Sequence, residues 1–303
     1  MSYFGLLLPE MDVKTTMVRL KLSLELNYDI QGQGSDFIFN IHNAFTPHQV
    51  VSDEWLELSQ PIKPEIYTDP ATSNRYMRLH ANEGHLTVRY KSTLDINHHF
   101  ALPASIAEIP VAQLPAQILS YIYPSRYCES DRLHRLAIRE FGHLWQGYSR
   151  VKAIQEWVQK HVSFTPNTSN GSTSAIDTLI EQVGVCRDFA HLMIALCRAV
   201  NIPARFVTGT DYGADPVLGP PDFHAYVEVY LGGRWYMFDP SGTSIPMGFV
   251  RFGVGRDAAD VPFATIFGSV QSSAPMIDIC AVVDAEQKLV LPYHCVEAIS
   301  TSE

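Results

Sequence analysis

From residue 18 the chain alternates apolar and polar side chains almost without interruption: Val18, Leu20, Leu22, Leu24, Leu26 and Tyr28 are interleaved with Arg19, Lys21, Ser23, Glu25, Asn27 and Asp29. A period of two places every apolar side chain on one face, so the stretch reads as a half-buried β-strand. Gln31-Gly32-Gln33-Gly34 turns the chain into a second strand at Phe37-Ile38-Phe39-Asn40-Ile41. Strand patterns over 74–81 and 85–96 flank Asn82-Glu83-Gly84 and predict a hairpin. Residues 1–16 show no period and read as an extension. The region up to about residue 105 is thus strand and turn, which predicts an antiparallel β-sandwich.

Pro103, Pro110, Pro115 and Pro124 mark a connecting segment, beyond which the apolar period lengthens to that of a helix. A boundary near 115 gives an N-terminal β-sandwich domain over 1–115 and a second domain over 116–303. Leu133, Leu136, Ala137, Phe141 and Leu144 form one helix face behind Ser130-Asp131, an expected N-cap pair. Val151, Ile154, Trp157 and Val158 form a second helix, and residues 173–182 a third. Strand patterns return over 204–208, 223–231 and 234–238, so the second domain is α+β, with helices packed on an antiparallel sheet.

One helix carries chemistry. Phe189, Leu192, Met193, Leu196 and Val200 recur at helical spacing, Gly184 gives a turn into them, and Asn201-Ile202-Pro203 ends them. Cys186 therefore stands in a first turn, where unpaired backbone N–H groups and the positive end of the dipole favour a thiolate. Downstream, Gly232-Gly233 is a two-residue hairpin loop, which pairs Leu231 with Arg234 and sets Tyr226 opposite Asp239. His224 then shares a face with Asp239 and is its diagonal neighbour, while Phe223, Ala225, Val227, Val229 and Leu231 form the core side. A thiol at a helix start, an imidazole and an orienting carboxylate are the parts of a Cys-His-Asp nucleophilic system. The Cys186 N–H is one oxyanion donor, with Gln182 and Trp145 the candidates for a second.

Taken singly, each residue has a blander reading: a small buried thiol, a strand histidine that fills a hydrogen-bonding gap, an Asp-Pro turn. Their order and shared face outweigh that for Cys186, His224 and Asp239. The bland reading holds for Cys197, deeper on nearly the same helix face, and for His191, five residues past Cys186 and turned away from it. Arg187 and Asp188 cap the helix or bridge loops.

Charge and cysteine content narrow the function. Twenty-two basic against 32 acidic residues give a net charge of −10 with no Lys/Arg run, so neither nucleic acid nor an anionic membrane surface is an expected partner. No apolar run approaches the length of a membrane span, and Phe4-Gly5-Leu6-Leu7-Leu8 stops at Pro9 without the basic start of a signal peptide. Five irregularly spaced cysteines make no disulfide framework, so a reducing cytoplasm is expected. Cys128, Cys280 and Cys295 lack partners at metal-ligand spacing, and the acidic residues lack that of a calcium loop, so no metal or cofactor is expected. Oligomeric state has no signature in the sequence.

Gly-Val-Cys186-Arg-Asp-Phe-Ala-His-Leu, Asn-Ile-Pro-Ala-Arg205, Asp-Phe-His224-Ala-Tyr and Gly-Arg-Trp-Tyr-Met-Phe-Asp239-Pro resemble, in order, the blocks of the bacterial transglutaminase-like family, whose members are often provisionally named cysteine proteases. The similarity extends to Gly255–Pro262 and Tyr123–Cys128, so nearly the whole chain resembles the two-domain form with an N-terminal β-rich domain. Tyr226 stands where the family commonly has Trp, and Ser241 where it has Thr. The resemblance implies a papain-like core with Cys186 as nucleophile, His224 as base and Asp239 as orienter. It also implies a peptide or protein amide substrate and an acyl-thioester intermediate, passed to water in a peptidase or amidase and to an amine in a transamidase. An inactive binding scaffold is the remaining reading.

Overall fold

The computed structural model describes residues 17–213 and 221–302, so the expected extension at 1–16 lies outside the described residues. Strands β1 (Met17–Ile30), β2 (Ser35–Phe39), β3 (Gln49–Leu58), β4 (Glu65–Thr68), β5 (Arg75–Ala81), β6 (Gly84–Asn97) and β7 (His99–Ala101) come first. Helices α1 (Ser130–Phe141) and α2 (Tyr148–His161) follow, then β8 (Ser163–Phe164), α3 (Ala175–Glu181), β9 (Val183–Gly184) and α4 (Cys186–Ala199). The chain continues through β10 (Ala204–Asp211), β11 (Phe223–Leu231), β12 (Arg234–Phe238) and β13 (Phe249–Gly255). It closes with β14 (Ala264–Phe267), β15 (Val270–Ser272), β16 (Met276–Val282) and β17 (Ala298–Ser300).

The alternation in β1 is realised at every apolar position, from Val18 to Ile30, all buried. β1 pairs antiparallel with β6 along its whole length, from Met17 with Asn97 to Ile30 with Gly84. These strands lie in a sheet ordered β15-β1-β6-β3, with β16 also on β1, and a second sheet runs β14-β2-β5-β4. Apolar side chains of the two sheets, including Leu20, Leu24, Tyr90, Phe37, Phe39 and Met77, form one core.

Some expectations need correction. The hairpin about Asn82-Glu83-Gly84 does not form: β5 pairs with β2 and β4, while β6 pairs with β1 and β3. Both edges of β6 are occupied, by β1 and β3, so the turn carries the chain from one sheet to the other. Strands from the end of the chain also join the sandwich sheets: β14 pairs with β2, and β15 and β16 pair with β1. Unpaired, that edge of β1 would expose a row of backbone donors and acceptors to other chains. The expected N-cap pair Ser130-Asp131 lies inside the first turn of α1, whose N-cap is Glu129. The third helix does carry a capping box, in which the Asp177 carboxylate accepts from the Ser174 N–H at 2.9 Å.

The second sheet-bearing unit is ordered β12-β11-β10-β13. The β11–β12 register is the one the Gly232-Gly233 loop predicts, from Leu231 with Arg234 to Val227 with Phe238. Ala225, Val227, Val229 and Leu231 pack with Leu192, Met193 and other side chains of α4. The opposite face of β11 is not solvated either, since Tyr226 joins the sandwich core with Val207 and Phe249. Phe223, expected on the helix side, instead stacks on Phe263, with ring centroids 3.8 Å apart. The sandwich is clipped to β13 by side-chain amides that stand in for strand pairing: Asn74 bonds both the N–H and the C=O of Val254 at 2.8 Å, and Gln49 does the same for Arg251 at 2.9 Å.

On this covered face Glu228 has no solvent exposure, and it bonds Arg205, Arg251 and the Ser302 hydroxyl. Burial alone would push its carboxyl up, but the two guanidinium groups hold it below the ordinary range. Removing one member of a buried ionic cluster strands the others, typically at about 3–5 kcal/mol. Glu228→Ala is therefore expected to lower unfolding free energy by about that amount in urea titration, and a loss below about 1 kcal/mol would refute the cluster's role.

Candidate active site

The start of α4 is built from its own sequence. Val185 is the extended N-cap residue and has no side-chain acceptor, so Asp188 supplies the cap: its Oδ2 accepts from the Val185 N–H at 2.8 Å and its Oδ1 from the Ser169 hydroxyl at 2.9 Å. Gly184 contributes space rather than a turn. It pairs with Phe164 in the short parallel β8–β9 ladder, and a Cβ there would lie 2.7 Å from that of Asp188. Arg187 is pinned across the entrance by hydrogen bonds to Ser169 and the Asn170 carbonyl. Cys186, in the first turn, is partly exposed, whereas every residue from Asp188 to Ala199 is buried.

β11 brings His224 to that helix start. Its ring packs on Phe249 with centroids 5.3 Å apart, and its Nε2 lies 3.6 Å from Asp239 Oδ1. That separation is ion-pairing reach, longer than a hydrogen bond, as resting catalytic pairs often are. Asp239, just past β12, is held by the Ser241 N–H and hydroxyl on Oδ1, at 3.0 and 2.5 Å, and by the Ser244 N–H on Oδ2 at 3.1 Å. Gln155 and Gln159 of α2 donate to its backbone carbonyl at 2.6 and 3.1 Å. The serine at 241, where the family commonly has threonine, keeps the hydroxyl that the carboxylate uses.

A second carboxylate, which the sequence reading missed, stands at the other imidazole nitrogen: Asp211 Oδ1 is 3.9 Å from His224 Nδ1. It ends β10, where Gly209 pairs with His224 and the β10–β13 register shifts. Gly209 is required there, because a Cβ would fall 1.8 Å from the Val250 carbonyl oxygen. Such bulges re-aim the side chains that follow them. Asp211 Oδ2 has no partner among the described residues.

The electrostatics follow from these contacts. Burial alone would drive His224 towards its neutral form, but the Asp239 carboxylate and contact with the Cys186 thiol outweigh it and hold the imidazole well above its ordinary value. Burial would likewise raise Asp239, yet His224 and the Ser241 and Ser244 donors keep it below the ordinary range. Asp211, with fewer donors, is pushed up by burial.

Cys186 and His224 open onto a cleft of about 610 Å³ whose walls include Arg126, Tyr127, Phe223 and Pro262. Gln182 and Trp145 do not line it; Gln182 is the left-handed C-cap of α3, and Trp145 is 88% exposed. His191 is fully buried behind the cleft, stacked on Tyr127, and accepts from the Ala258 N–H at 3.2 Å. Burial pushes the Cys128 thiol up to about 12 and also raises Cys197. Among the described residues no three His, Cys, Asp or Glu side chains converge as metal ligands, and no helix is long and apolar enough to cross a membrane.

Comparison with known proteins matches this architecture. Residues 139–240 match the transglutaminase-like superfamily and residues 18–117 the bacterial transglutaminase N-terminal domain. A solved structure from Cytophaga hutchinsonii, provisionally named a cysteine protease, is 35% identical, covers 95% of this chain and 98% of its own, and superposes with a TM-score of 0.87. An uncharacterized protein of Mycobacterium leprae is 34% identical over 116 residues, which is 37% of this chain and 41% of that protein. The chain thus spans under half the length of that relative. One from Mycobacterium tuberculosis is 24% identical over 285 residues, 85% of this chain and 78% of its own. With the fold, the order of its motifs and a near full-length relative in agreement, this chain belongs to the transglutaminase-like superfamily, in the bacterial form that carries a dedicated N-terminal domain.

Proposed function

We propose that the protein is a thiol-dependent enzyme that cleaves peptide or glutamine-type amides, with Cys186 as nucleophile, His224 as acid and base, and Asp239 as the positioning carboxylate. The observation that carries this reading is the convergence of Cys186 and His224 on one cleft, with the buried Asp239 behind the imidazole. The Cys186 proton passes to His224, and the sulfur attacks the amide carbon. His224 then returns the proton to the leaving nitrogen as the C–N bond breaks, leaving an acyl thioester. Water, deprotonated by His224, attacks the thioester, and the C–S bond breaks to release the acid and restore the thiol. The naming of the Cytophaga hutchinsonii relative as a cysteine protease supports water as acceptor. In the family's transamidases a lysine-type amine takes that place. The five cysteines are all free, which suits a reducing cytoplasm.

The roles of the two carboxylates are separable. Asp239→Asn removes the charge that stabilises an imidazolium and is expected to lower kcat by about 10²–10⁴. Asp211→Asn preserves the shape of a group that burial already biases to its neutral form, and is expected to cost less than about tenfold in the same steady-state assay. Equal losses would contradict this division.

The coupling of thiol and base predicts a signature without a known substrate. Cys186 should be alkylated by iodoacetamide at pH 6, scored by peptide mass spectrometry, and His224→Ala should slow that reaction by about 10². An undiminished rate would separate the two residues. With a glutamine peptide as donor, incorporation of a labelled alkylamine in place of hydrolysis would reassign the acceptor.

Stability should report the same charge state. Because folding raises His224 from its ordinary 6.5, its contribution is complete below that pH and is lost as pH rises through the folded value. Asp239, lowered from 3.8, contributes above that pH and loses its share on acidification. The melting temperature of the native protein should therefore exceed that of His224→Gln most between about pH 4.5 and 6.5, and by less at higher pH. A gap that widens with rising pH would show a neutral imidazole.

A further inference from the structure

The Cys186 cleft continues past its own rim. Ala259 and Pro262, in the segment between β13 and β14, border both this cleft and a second hollow of about 580 Å³. The second hollow lies on the outer face of the β14-β2-β5-β4 sheet, and strand register fixes its floor. Thr265 faces Ile38, Ile38 faces Arg78, and Arg78 faces Glu65, giving one row across four strands. Tyr76 and Tyr67 pair in the adjacent row on the same face. The alternate positions Phe37, Phe39, Met77 and Leu79 point into the sandwich core, so the row is what the pleat leaves outside. A third hollow of about 500 Å³ shares Ile38, Glu65 and Arg78 and reaches on to Phe267.

This outer face is unusual for a solvated one. It carries an isoleucine and two tyrosines, with Tyr67 55% exposed on the edge strand. Its charged groups are paired, Arg78 with Glu65 at 2.5 Å and Asp36 with His80 at 2.7 Å, and Lys63 lines the third hollow beside them. The Tyr76 hydroxyl accepts from Asn74 at 3.1 Å and donates to the Asp260 carbonyl at 3.4 Å, which ties the floor to the segment that borders the cleft. The segment between the two hollows is short: Ala259 and Pro262 border both, Asp260 lines the second hollow and Val261 the cleft.

We infer that the outer face of the first domain is the second half of the substrate site, and that the substrate is an extended polypeptide whose susceptible amide lies at Cys186 while its flanking residues cross Ala259 and Pro262 onto Tyr67, Tyr76 and Ile38. The inference rests on the amide-cleaving reading above. Continuity with the cleft selects the occupant, because a chain held at Cys186 and leaving by this side meets the face at once. The lining suits backbone and apolar side chains, and a neutral floor in a protein of net charge −10 offers nothing to a nucleic acid. A single hollow would accommodate a small amide; a succession of them suits a chain.

The test uses the full chain with Cys186→Ala, which removes the chemistry, and fluorescein-labelled, reduced and carboxymethylated lactalbumin as an unfolded polypeptide probe. Fluorescence anisotropy should show binding that is weakened about five- to tenfold by Ile38→Ser with Tyr67→Ala, the order expected for losing one or two anchoring contacts. In protein retaining Cys186, the same polypeptide should slow iodoacetamide alkylation of that residue, and the advantage of polypeptide over a blocked dipeptide amide as protectant should fall in the double variant. Unchanged affinity in the double variant, or a dipeptide that binds and protects as well as the polypeptide, overturns the inference. A Cys186 inert to iodoacetamide alongside Tyr67-dependent polypeptide binding overturns the thiol chemistry and supports the groove. Circular dichroism of both variants checks that the exposed substitutions leave the fold intact.

Discussion

Burial of both faces of β11 is the constraint on which the rest of this structure depends. A strand packed on one side only could leave its polar positions in water. Here one face lies against α4 and the other against the sandwich, so His224, Tyr226 and Glu228, which alternate along a single face, all enter a low-dielectric interior. Groups that cannot reach water must be matched by protein groups or change charge. Glu228 is matched by two arginines of the same sheet, on β10 and β13, and His224 by Asp239 and the thiol. The same enclosure thus creates a structural ion cluster and a candidate catalytic one, four residues apart on one strand. The first domain accordingly packs on the strand face that also carries His224, through Tyr226.

Within that enclosure the two acids near the imidazole differ by their donors more than by their depth. Both are almost fully buried, but Asp239 receives two backbone N–H groups and a hydroxyl, whereas Asp211 Oδ2 receives none among the described residues. Negative charge is therefore better supported at Asp239 than at Asp211. Placing the charge on one side of the ring fixes which nitrogen is held as donor and which is free to exchange a proton, the arrangement that acid–base work requires.

Much of this could be read along the chain wherever short-range rules decide the outcome. The alternation from Val18 to Tyr28, the register about Gly232-Gly233 and the helix opening at Cys186 each depend on neighbours within a few residues. Asn82-Glu83-Gly84 shows where that stops: its turn is real, but which sheet receives the next strand is set by β1 and β3. Asp211 was illegible for a related reason, since an acid at a strand end acquires meaning only once β10 lies beside β11. Period-two logic assumes one wet face and so cannot foresee the burial of Glu228, because here there is none. The returning strands after residue 263 pair with partners more than 220 positions earlier, a separation no local pattern encodes.

That return has a consequence in time as well as in space. β1 is made before the helical unit, yet its edge partners β15 and β16 follow only after that unit. Until about residue 282 emerges, a long apolar-faced strand lacks the neighbours that quench its edge, and the sandwich is a fragment. The four-stranded sheet beside Cys186 is made by Gly255, before the strands that complete the sandwich, which end at Val282. A nascent chain therefore carries Cys186 before the strands that complete the sandwich have been made.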